Sequence, residues 1–255
     1  MNELSLFSGA GGGLLGTKLL GWRSVGYVEF NTYCQKILAQ RIKDGFLDEA
    51  PIFGDIDDFI ESGAAKKYKG YVDVVTAGFP CQPFSVAGKK KGQDDERNKW
   101  PQTIQCIRDV GCRYALLENV PGLLNSGYFP EILRSLAEAG FDARWTVLGA
   151  DDVGAPHRRK RLWILADSKR SGCGVQSEAL AGKAGTLQAG GEQIQSRSEV
   201  RDSSSNVAYT NRWPTEPQPI CRVAHGVAHR VDRLKALGNG QVPRVAATAW
   251  ELLSG

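Results

Sequence analysis

One cysteine in this sequence has a setting that favours covalent chemistry. Cys81 stands in the segment GFPCQPFS, residues 78–85, directly after a predicted buried strand over residues 73–77. That position predicts a loop at the carboxyl edge of a sheet, where open α/β sheets bind ligands. The two prolines stiffen the loop. A cysteine taken alone is more often a small buried apolar residue, but this loop position favours a nucleophilic thiol.

A nucleophilic thiol needs positive charge nearby. A free thiol has a pKa of about 8.5 and is mostly protonated at neutral pH, so a cation is required to stabilise the thiolate. The segment HRRKR, residues 157–161, concentrates positive charge and could supply it. A second such cluster is Lys89-Lys90-Lys91. The alternative interpretation of a basic run is a solvated surface face.

A glycine cluster near the start of the chain has the pattern of a ligand-binding loop. Glycines 9, 11, 12 and 13 lie between a predicted strand and a predicted helix. Glycines there let the backbone approach a ligand closely and leave helix N–H groups free to bind it. The spacing differs from GxGxxG, which disfavours a nicotinamide cofactor, and no P-loop pattern occurs. A structural tight turn remains the alternative.

Two acidic residues are candidates for contacts with a nucleoside. Glu29 ends the second predicted strand, where a carboxylate can accept hydrogen bonds from a ribose diol. Asp55, in the segment GDI of residues 54–56, is the second candidate. Its alternative role is to cap a turn or a helix.

The elements that must position these residues alternate between apolar strands and helices. The predicted strands cover residues 4–7, 25–29, 73–77, 114–118 and 163–166, and the predicted helices cover 14–20, 32–42, 132–139 and 244–253. Asn31 is the expected cap of the second helix, and Gly140 is expected to close the third. This alternation predicts an α/β fold with a doubly wound, mostly parallel sheet.

Composition limits the class of protein further. The chain has 255 residues, 42% of them hydrophobic, and a net charge of +4, which permits nucleic-acid binding without arguing for it. Six scattered cysteines without a CxxC pair disfavour a zinc site or a disulfide framework. No apolar run of about 18 residues and no signal-peptide pattern occurs. A cytoplasmic protein is therefore expected.

Five motifs taken together carry a family resemblance. In chain order they are FSGAGG (7–12), GFPCQ (78–82), ENV (118–120), HRRKR (157–161) and GNG (238–240). This order resembles the DNA cytosine-5 methyltransferase family, over residues 4–167 and about 223–253. The PCQ and ENV elements, whose Cys81 and Glu118 are 37 residues apart, are specific as a pair.

The resemblance implies a Rossmann-like catalytic domain that binds S-adenosylmethionine. Glu29 would bind the ribose of this donor, with Phe30 beside the adenine and with Asp55 and Ile56 in contact with it. The residues expected to line the rest of the donor pocket are Phe7, Gly9, Ala10, Gly12, Pro80, Trp100, Asn239 and Gln241. Gly240 and Gln241 replace residues that are commonly small and aliphatic in the family.

The resemblance also assigns the reacting groups. Cys81 would add to C6 of cytosine, Glu118 would engage the ring as an acid, and Arg159 and Arg161 would support both. The residue types suit the chemistry, because thiolate attack makes C5 enamine-like while a proton near N3 and a guanidinium near O2 offset the developing charge. The base that removes the C5 proton is not assigned.

The implied substrate is duplex DNA with the target cytosine flipped out of the stack. The residues expected to contact DNA are Gln82, Ser85, Arg97 and His157, with His157 standing where the family often has glutamine. The stretch 87–98, with its three lysines, would close over the flipped base. We expect a monomeric protein that is encoded by a bacterium or a phage and is associated with the nucleoid. Whether a cognate restriction endonuclease accompanies it is left open.

The chain changes composition after residue 167. From residue 168 to about residue 206 it is rich in Gly, Ser, Gln and Ala and cannot build much core alone. We interpret residues 168–222 as a small target-recognition region inserted into a catalytic domain formed by residues 1–167 and 223–255. Two alternatives to a DNA methyltransferase remain: an RNA-directed relative, since cytosine in a tRNA loop is already unstacked, and a catalytically silent DNA-binding or regulatory module.

Overall fold

The computed structural model describes residues 1–80, 98–168 and 230–255. Its strands are β1 (Asn2–Leu6), β2 (Arg23–Val28), β3 (Ile52–Phe53), β4 (Val74–Ala77), β5 (Tyr114–Asn119), β6 (Asp142–Leu148) and β7 (Arg161–Asp167). Its α-helices are α1 (Gly12–Leu19), α2 (Thr32–Lys43), α3 (Ile56–Glu61), α4 (Ala64–Lys67), α5 (Trp100–Val110), α6 (Phe129–Glu138), α7 (Arg230–Asn239) and α8 (Pro243–Ser254).

The seven described strands form one sheet in the order β3-β2-β1-β4-β5-β7-β6. β1 pairs in parallel with β2 and β4, and β5 pairs in parallel with β4, whereas β7 runs antiparallel to β5 and β6. The chain order reverses between β1 and β4, which is the switch point where open α/β sheets bind ligands. The predicted doubly wound, mostly parallel sheet is confirmed.

Several predicted helix boundaries are confirmed by their caps. The Asn31 side chain accepts hydrogen bonds from the N–H groups of Tyr33 and Cys34, which fixes the start of α2. Gly140 follows α6 with a φ of +84°, a left-handed conformation that glycine adopts without steric cost. These ends were predictable because each depends on a single residue and the backbone next to it.

Other elements were missed by the sequence pattern. β6 lies at an edge of the sheet and mixes exposed with partly buried residues, so no apolar run marks it. α5 was also missed, although Ile104, Ile107 and Val110 form a buried stripe on one of its faces. α3 and α4 have 6 and 4 residues, which is too short for a helical period to stand out.

Helices cover both faces of the sheet. On one face, α5 packs Ile104 and Ile107 in a cluster with Val75 and Leu117. On the other, α8 packs against Trp163 and Leu165. This two-sided burial explains why β4, β5 and β7 consist mostly of apolar residues. Among the described residues, no helix has both the length and the apolarity to cross a bilayer.

Candidate active site at the carboxyl edge of the sheet

The loop after β1 is shaped by left-handed backbone conformations. Phe7 has a φ of +53°, and Gly9 and Gly11 have φ values of +56° and +83°. A bulky residue with positive φ is rare and costs free energy, so it persists only where the surroundings impose it. The loop turns the chain sharply into α1, and the half-buried Ala10 lies within this turn.

Glu29 is clamped beneath this loop by two backbone groups. Its Oε2 accepts a hydrogen bond from the Gly9 N–H at 2.6 Å, and its Oε1 accepts one from the Asn31 N–H at 2.7 Å. A carboxylate has about four lone-pair sites, so each oxygen can accept a further hydrogen bond. Glu29 is therefore fixed in place and able to bind a diol. Phe30, beside it, is 74% exposed and presents an aromatic face.

Of the other residues expected in the donor pocket, Asp55, Ile56 and Trp100 occupy two environments. Asp55 caps α3, because its Oδ1 accepts a hydrogen bond from the Asp57 N–H at 3.0 Å. Ile56 and Trp100 are both 3% exposed. The Trp100 ring packs 5.1 Å from the Phe79 ring. The side chains of Ile56 and Trp100 thus belong to the hydrophobic core and present almost no surface to a donor.

Glu118, near the end of β5, is the acidic centre of the other half of the site. Its Oε1 forms an ion pair with Nε of Arg161 at 2.9 Å. Burial raises the pKa of Glu118 above its ordinary value, although the charge of Arg161, a hydrogen bond from Gln241 and the charge of Arg159 all act to lower it. A buried carboxyl with a raised pKa can hold a proton for a reacting group.

The two arginines predicted as catalytic support have different partners. Arg161 contacts Glu118, whereas the Arg159 guanidinium donates to the carbonyl oxygens of Gly238 and Gly240, both at 2.6 Å. Burial, and then the charge of Arg161, lowers the pKa of Arg159. Arg159 therefore ties the turn before α8 to the site, and only Arg161 touches the acid directly.

The end of α7 and the segment that leads from it to α8 join the two halves of the site. Asn239 and Gln241 line the same cavity of about 50 Å³ as Phe7, Gly9 and Glu118. The Nε2 group of Gln241 donates to Oε2 of Glu118 at 3.4 Å. The structure thus brings residues from the start, middle and end of the chain to one cleft.

One residue with a structural role at the site was not assigned a function from sequence. Asn119, which is 3% exposed, donates from Nδ2 to the carbonyl oxygen of Phe79 at 3.1 Å. Its Oδ1 accepts a hydrogen bond from the Val120 N–H at 2.8 Å. Asn119 therefore holds the backbone just before Pro80. Its place inside the ENV motif was the signal that could have identified it.

Four predicted residues lie outside the described residues: Cys81, Gln82, Ser85 and Arg97. Pro80 is the last described residue before them, and it is half-buried. A Cβ added to Gly78 would come within 3.0 Å of Oε2 of Glu118, so the end of β4 lies directly against the acid. His157 is exposed next to Arg159, which places it on the surface beside the cleft.

Comparison with known proteins defines the family. A model described as C-5 cytosine-specific DNA methylase matches residues 1–215. The type II methyltransferase M.NgoMIV of Neisseria gonorrhoeae is 34% identical over 168 residues, which cover 64% of this chain and 51% of that protein. M.HaeII of Haemophilus aegyptius is 36% identical over 166 residues, covering 64% and 49%. The chain thus spans about half the length of these curated relatives.

Solved structures agree in fold. A triple mutant of DNMT2 from Spodoptera frugiperda is 26% identical with a TM-score of 0.53, covering 69% of this chain and 53% of that one. The methyltransferase EhMeth of Entamoeba histolytica, at 21% identity and a TM-score of 0.52, covers 69% and 55%. With the family match over most of its length, this chain belongs to the C-5 cytosine-specific DNA methylase family.

Proposed function

We propose that this chain is a DNA cytosine-5 methyltransferase that transfers a methyl group from S-adenosylmethionine to C5 of a flipped-out cytosine. The observation that supports this best is the partly buried ion pair of Glu118 and Arg161 beside the end of β4. In the sequence, β4 leads directly to Pro80 and Cys81. A thiol nucleophile and an acid with a raised pKa would then face one substrate ring.

The residues of the cleft fit the proposed methyl donor. The clamped Glu29 carboxylate can accept two hydrogen bonds from a ribose diol, and the exposed Phe30 ring can lie against an adenine. Gly9 leaves open space where a side chain would otherwise stand, because a Cβ added there meets no atom within 4 Å. When bound, the donor supplies an electrophilic methyl group held by a positively charged sulfur.

The residues of this chain would then act on the cytosine in a fixed order. The Cys81 thiolate adds to C6 of the ring, and C5 gains the electron density needed to accept a methyl group. Glu118 holds a proton toward N3, which offsets the negative charge that develops on the ring. Arg161 keeps Glu118 in place and adds positive charge near O2. Loss of the C5 proton lets Cys81 leave.

Duplex DNA would approach over the exposed surface at His157, Arg158 and Lys160, beside the cleft. Positive charge there favours phosphate contacts, which orient a duplex without reading its sequence. We assign target recognition to residues 168–222, with Gln82, Ser85 and Arg97 as further DNA contacts. Deleting residues 171–205 should leave donor binding intact and change or abolish DNA selectivity; an unchanged sequence preference would show that another segment reads the DNA.

Covalent trapping tests the proposed reaction directly. Duplexes of varied sequence containing 5-fluorocytosine, incubated with protein and donor, should give a stable protein–DNA adduct, because fluorine at C5 blocks the final elimination. Peptide mapping should place the link at Cys81, and Cys81→Ser should give none. Adduct formation with a tRNA substrate alone would select the RNA-directed alternative. DNA binding without any adduct would select a silent module.

A further inference from the structure

The side chain of Gln241 lies between the glycine-rich loop and the acid. A Cβ added to Gly13 would collide with its Oε1, so the amide rests directly on the first turn of α1. Its other end, Nε2, is 3.4 Å from Oε2 of Glu118 and would be 3.0 Å from a Cβ added to Gly78. Gln241 therefore bridges three segments that are distant in sequence.

The backbone of Gln241 is held from two sides. A Cβ on Gly12 would collide with the Gln241 carbonyl oxygen, which shows how closely this residue packs on α1. Arg159 holds the preceding turn through the carbonyl oxygens of Gly238 and Gly240. With its backbone fixed, the amide of Gln241 has a defined direction, and that direction is toward Glu118.

We propose that Gln241 is a positioning residue for Glu118: packed on Gly13, its amide orients the carboxyl that engages the cytosine. The inference rests on the function proposed above, because that function makes Glu118 the acid. It also changes the role expected for Gln241, since the side chain contacts Glu118, Gly13 and Gly78 rather than only lining a donor pocket.

A neutral donor suits this role better than a cation. Arg161 already holds Oε1 of Glu118, and Arg159 adds a second positive charge close by. A third cation at Oε2 would favour the carboxylate and remove the proton that the reaction needs. An amide can restrain Oε2 without that charge, and at 3.4 Å it binds loosely enough to leave the oxygen available.

Titration of Glu118 tests the contact without depending on the reaction. In Gln241→Met, which has a similar length but no amide, we expect the pKa of Glu118 to rise, because a hydrogen bond that favours its charged form is lost. Carbon-13 NMR of labelled glutamate, assigned with Glu118→Gln, measures the shift. Gln105→Met is the matched control, since Gln105 donates a hydrogen bond to Asp109 on the exposed face of α5. An unchanged titration in Gln241→Met overturns the inference.

Adduct kinetics with 5-fluorocytosine duplexes test the consequence for reactivity. Gln241→Met should slow adduct formation by about tenfold at neutral pH, the effect of losing one orienting hydrogen bond. In a plot of the adduct-formation rate against pH, the alkaline limb of Gln241→Met should lie at higher pH than that of the wild type, because Glu118 keeps its proton to a higher pH. Merely structural damage would lower the melting temperature and the rate without moving this limb, and that result would contradict a positioning role.

A double-mutant cycle tests the link to Gly13. Gly13→Ala should displace the Gln241 amide and slow adduct formation as Gln241→Met does. In a Gln241→Ala background, which leaves room for the added methyl group, Gly13→Ala should have little further effect. Additive losses would overturn the packing argument. If wild-type protein forms no adduct while the Glu118 titration still shifts as expected, the contact stands and the proposed reaction fails.

Discussion

The two halves of the cleft are built by different means. Around Glu29, the backbone makes the site: left-handed residues shape the loop, and two N–H groups hold the carboxylate. Around Glu118, side chains make it: a guanidinium and an amide hold the carboxyl. The half around Glu29 should be sensitive to substitutions that add atoms to the loop or remove hydrogen-bond acceptors. The half around Glu118 should be sensitive to substitutions that change charge and to pH.

The largest expected effect is at Glu118. Glu118→Gln preserves the side-chain shape but removes the proton that the acid supplies, so turnover should fall by about 100-fold or more. Donor affinity, measured by calorimetry, should stay at the wild-type level because Glu29 is untouched. Single-turnover methylation of DNA gives the rate. Normal turnover with weakened donor binding in Glu118→Gln would contradict the assignment of Glu118 to catalysis and of Glu29 to donor binding.

A third carboxyl, Glu3, lies deep beneath both halves and should govern stability. It is 1% exposed and accepts hydrogen bonds from hydroxyl groups of Thr17, Ser24 and Thr76. Burial raises its pKa from 4.5 to about 7. The folded state therefore holds this proton more tightly than the unfolded state. Its contribution to stability is complete below pH 4.5 and is lost as pH rises toward 7.

Glu3→Gln should remove that pH dependence. The wild-type free energy of unfolding should fall between pH 4.5 and 7 relative to the variant, by about 3 kcal/mol at about 1.4 kcal/mol per pKa unit. Urea unfolding of both proteins at several pH values gives the difference. Parallel curves for the two proteins would show that Glu3 does not titrate in this range.

At Glu29 the expected effect falls on binding. Glu29→Gln replaces one acceptor oxygen with an N–H group that faces the N–H of Gly9 or Asn31, so the clamp is weakened. The dissociation constant of the methyl donor should rise by about 10- to 100-fold, as for the loss of a charged hydrogen bond. Turnover at saturating donor should change much less. A large loss of turnover with unchanged affinity would contradict the division between the halves.

Two glycines give the smallest and most specific contrast. Gly12→Ala should destabilise the protein by about 1–3 kcal/mol, because the new methyl group meets the Gln241 carbonyl oxygen. Gly9→Ala has open space around it but keeps a φ of +56°, which should cost about 1 kcal/mol. Denaturant unfolding compares the two variants. A larger loss at Gly9 would show that the loop tolerates contact better than backbone strain.

Sequence reasoning correctly predicted structural features that depend on residues close together in the chain. The alternating apolar segments predicted the parallel sheet, and Asn31 and Gly140 marked helix ends through local hydrogen bonds and a left-handed turn. Some of the candidate residues, among them Phe7, Gly9 and Glu118, line one cavity, because the carboxyl ends of parallel strands meet at one edge. The family resemblance, which rested on motifs in a fixed order, is confirmed.

Roles that depend on distant partners could not be derived this way. Arg159 and Arg161 are two residues apart, yet one binds a backbone turn and the other binds Glu118. Trp100 has a ring suited to stacking on an adenine but is buried against Phe79. In both cases the sequence shows the chemical type of the side chain, while its direction is set by how α5, β7 and the segment before α8 pack.

The amino-acid sequence by itself determined the class of fold, the family and the kinds of groups at the site, because strand patterning, capping and motif order act over short distances or in chain order. Only the tertiary structure decided which groups meet. Glu118 and Gln241 are 123 residues apart and come together because the segment before α8 packs on the glycines of α1. That packing depends on close contact between surfaces, which no local pattern in the chain specifies.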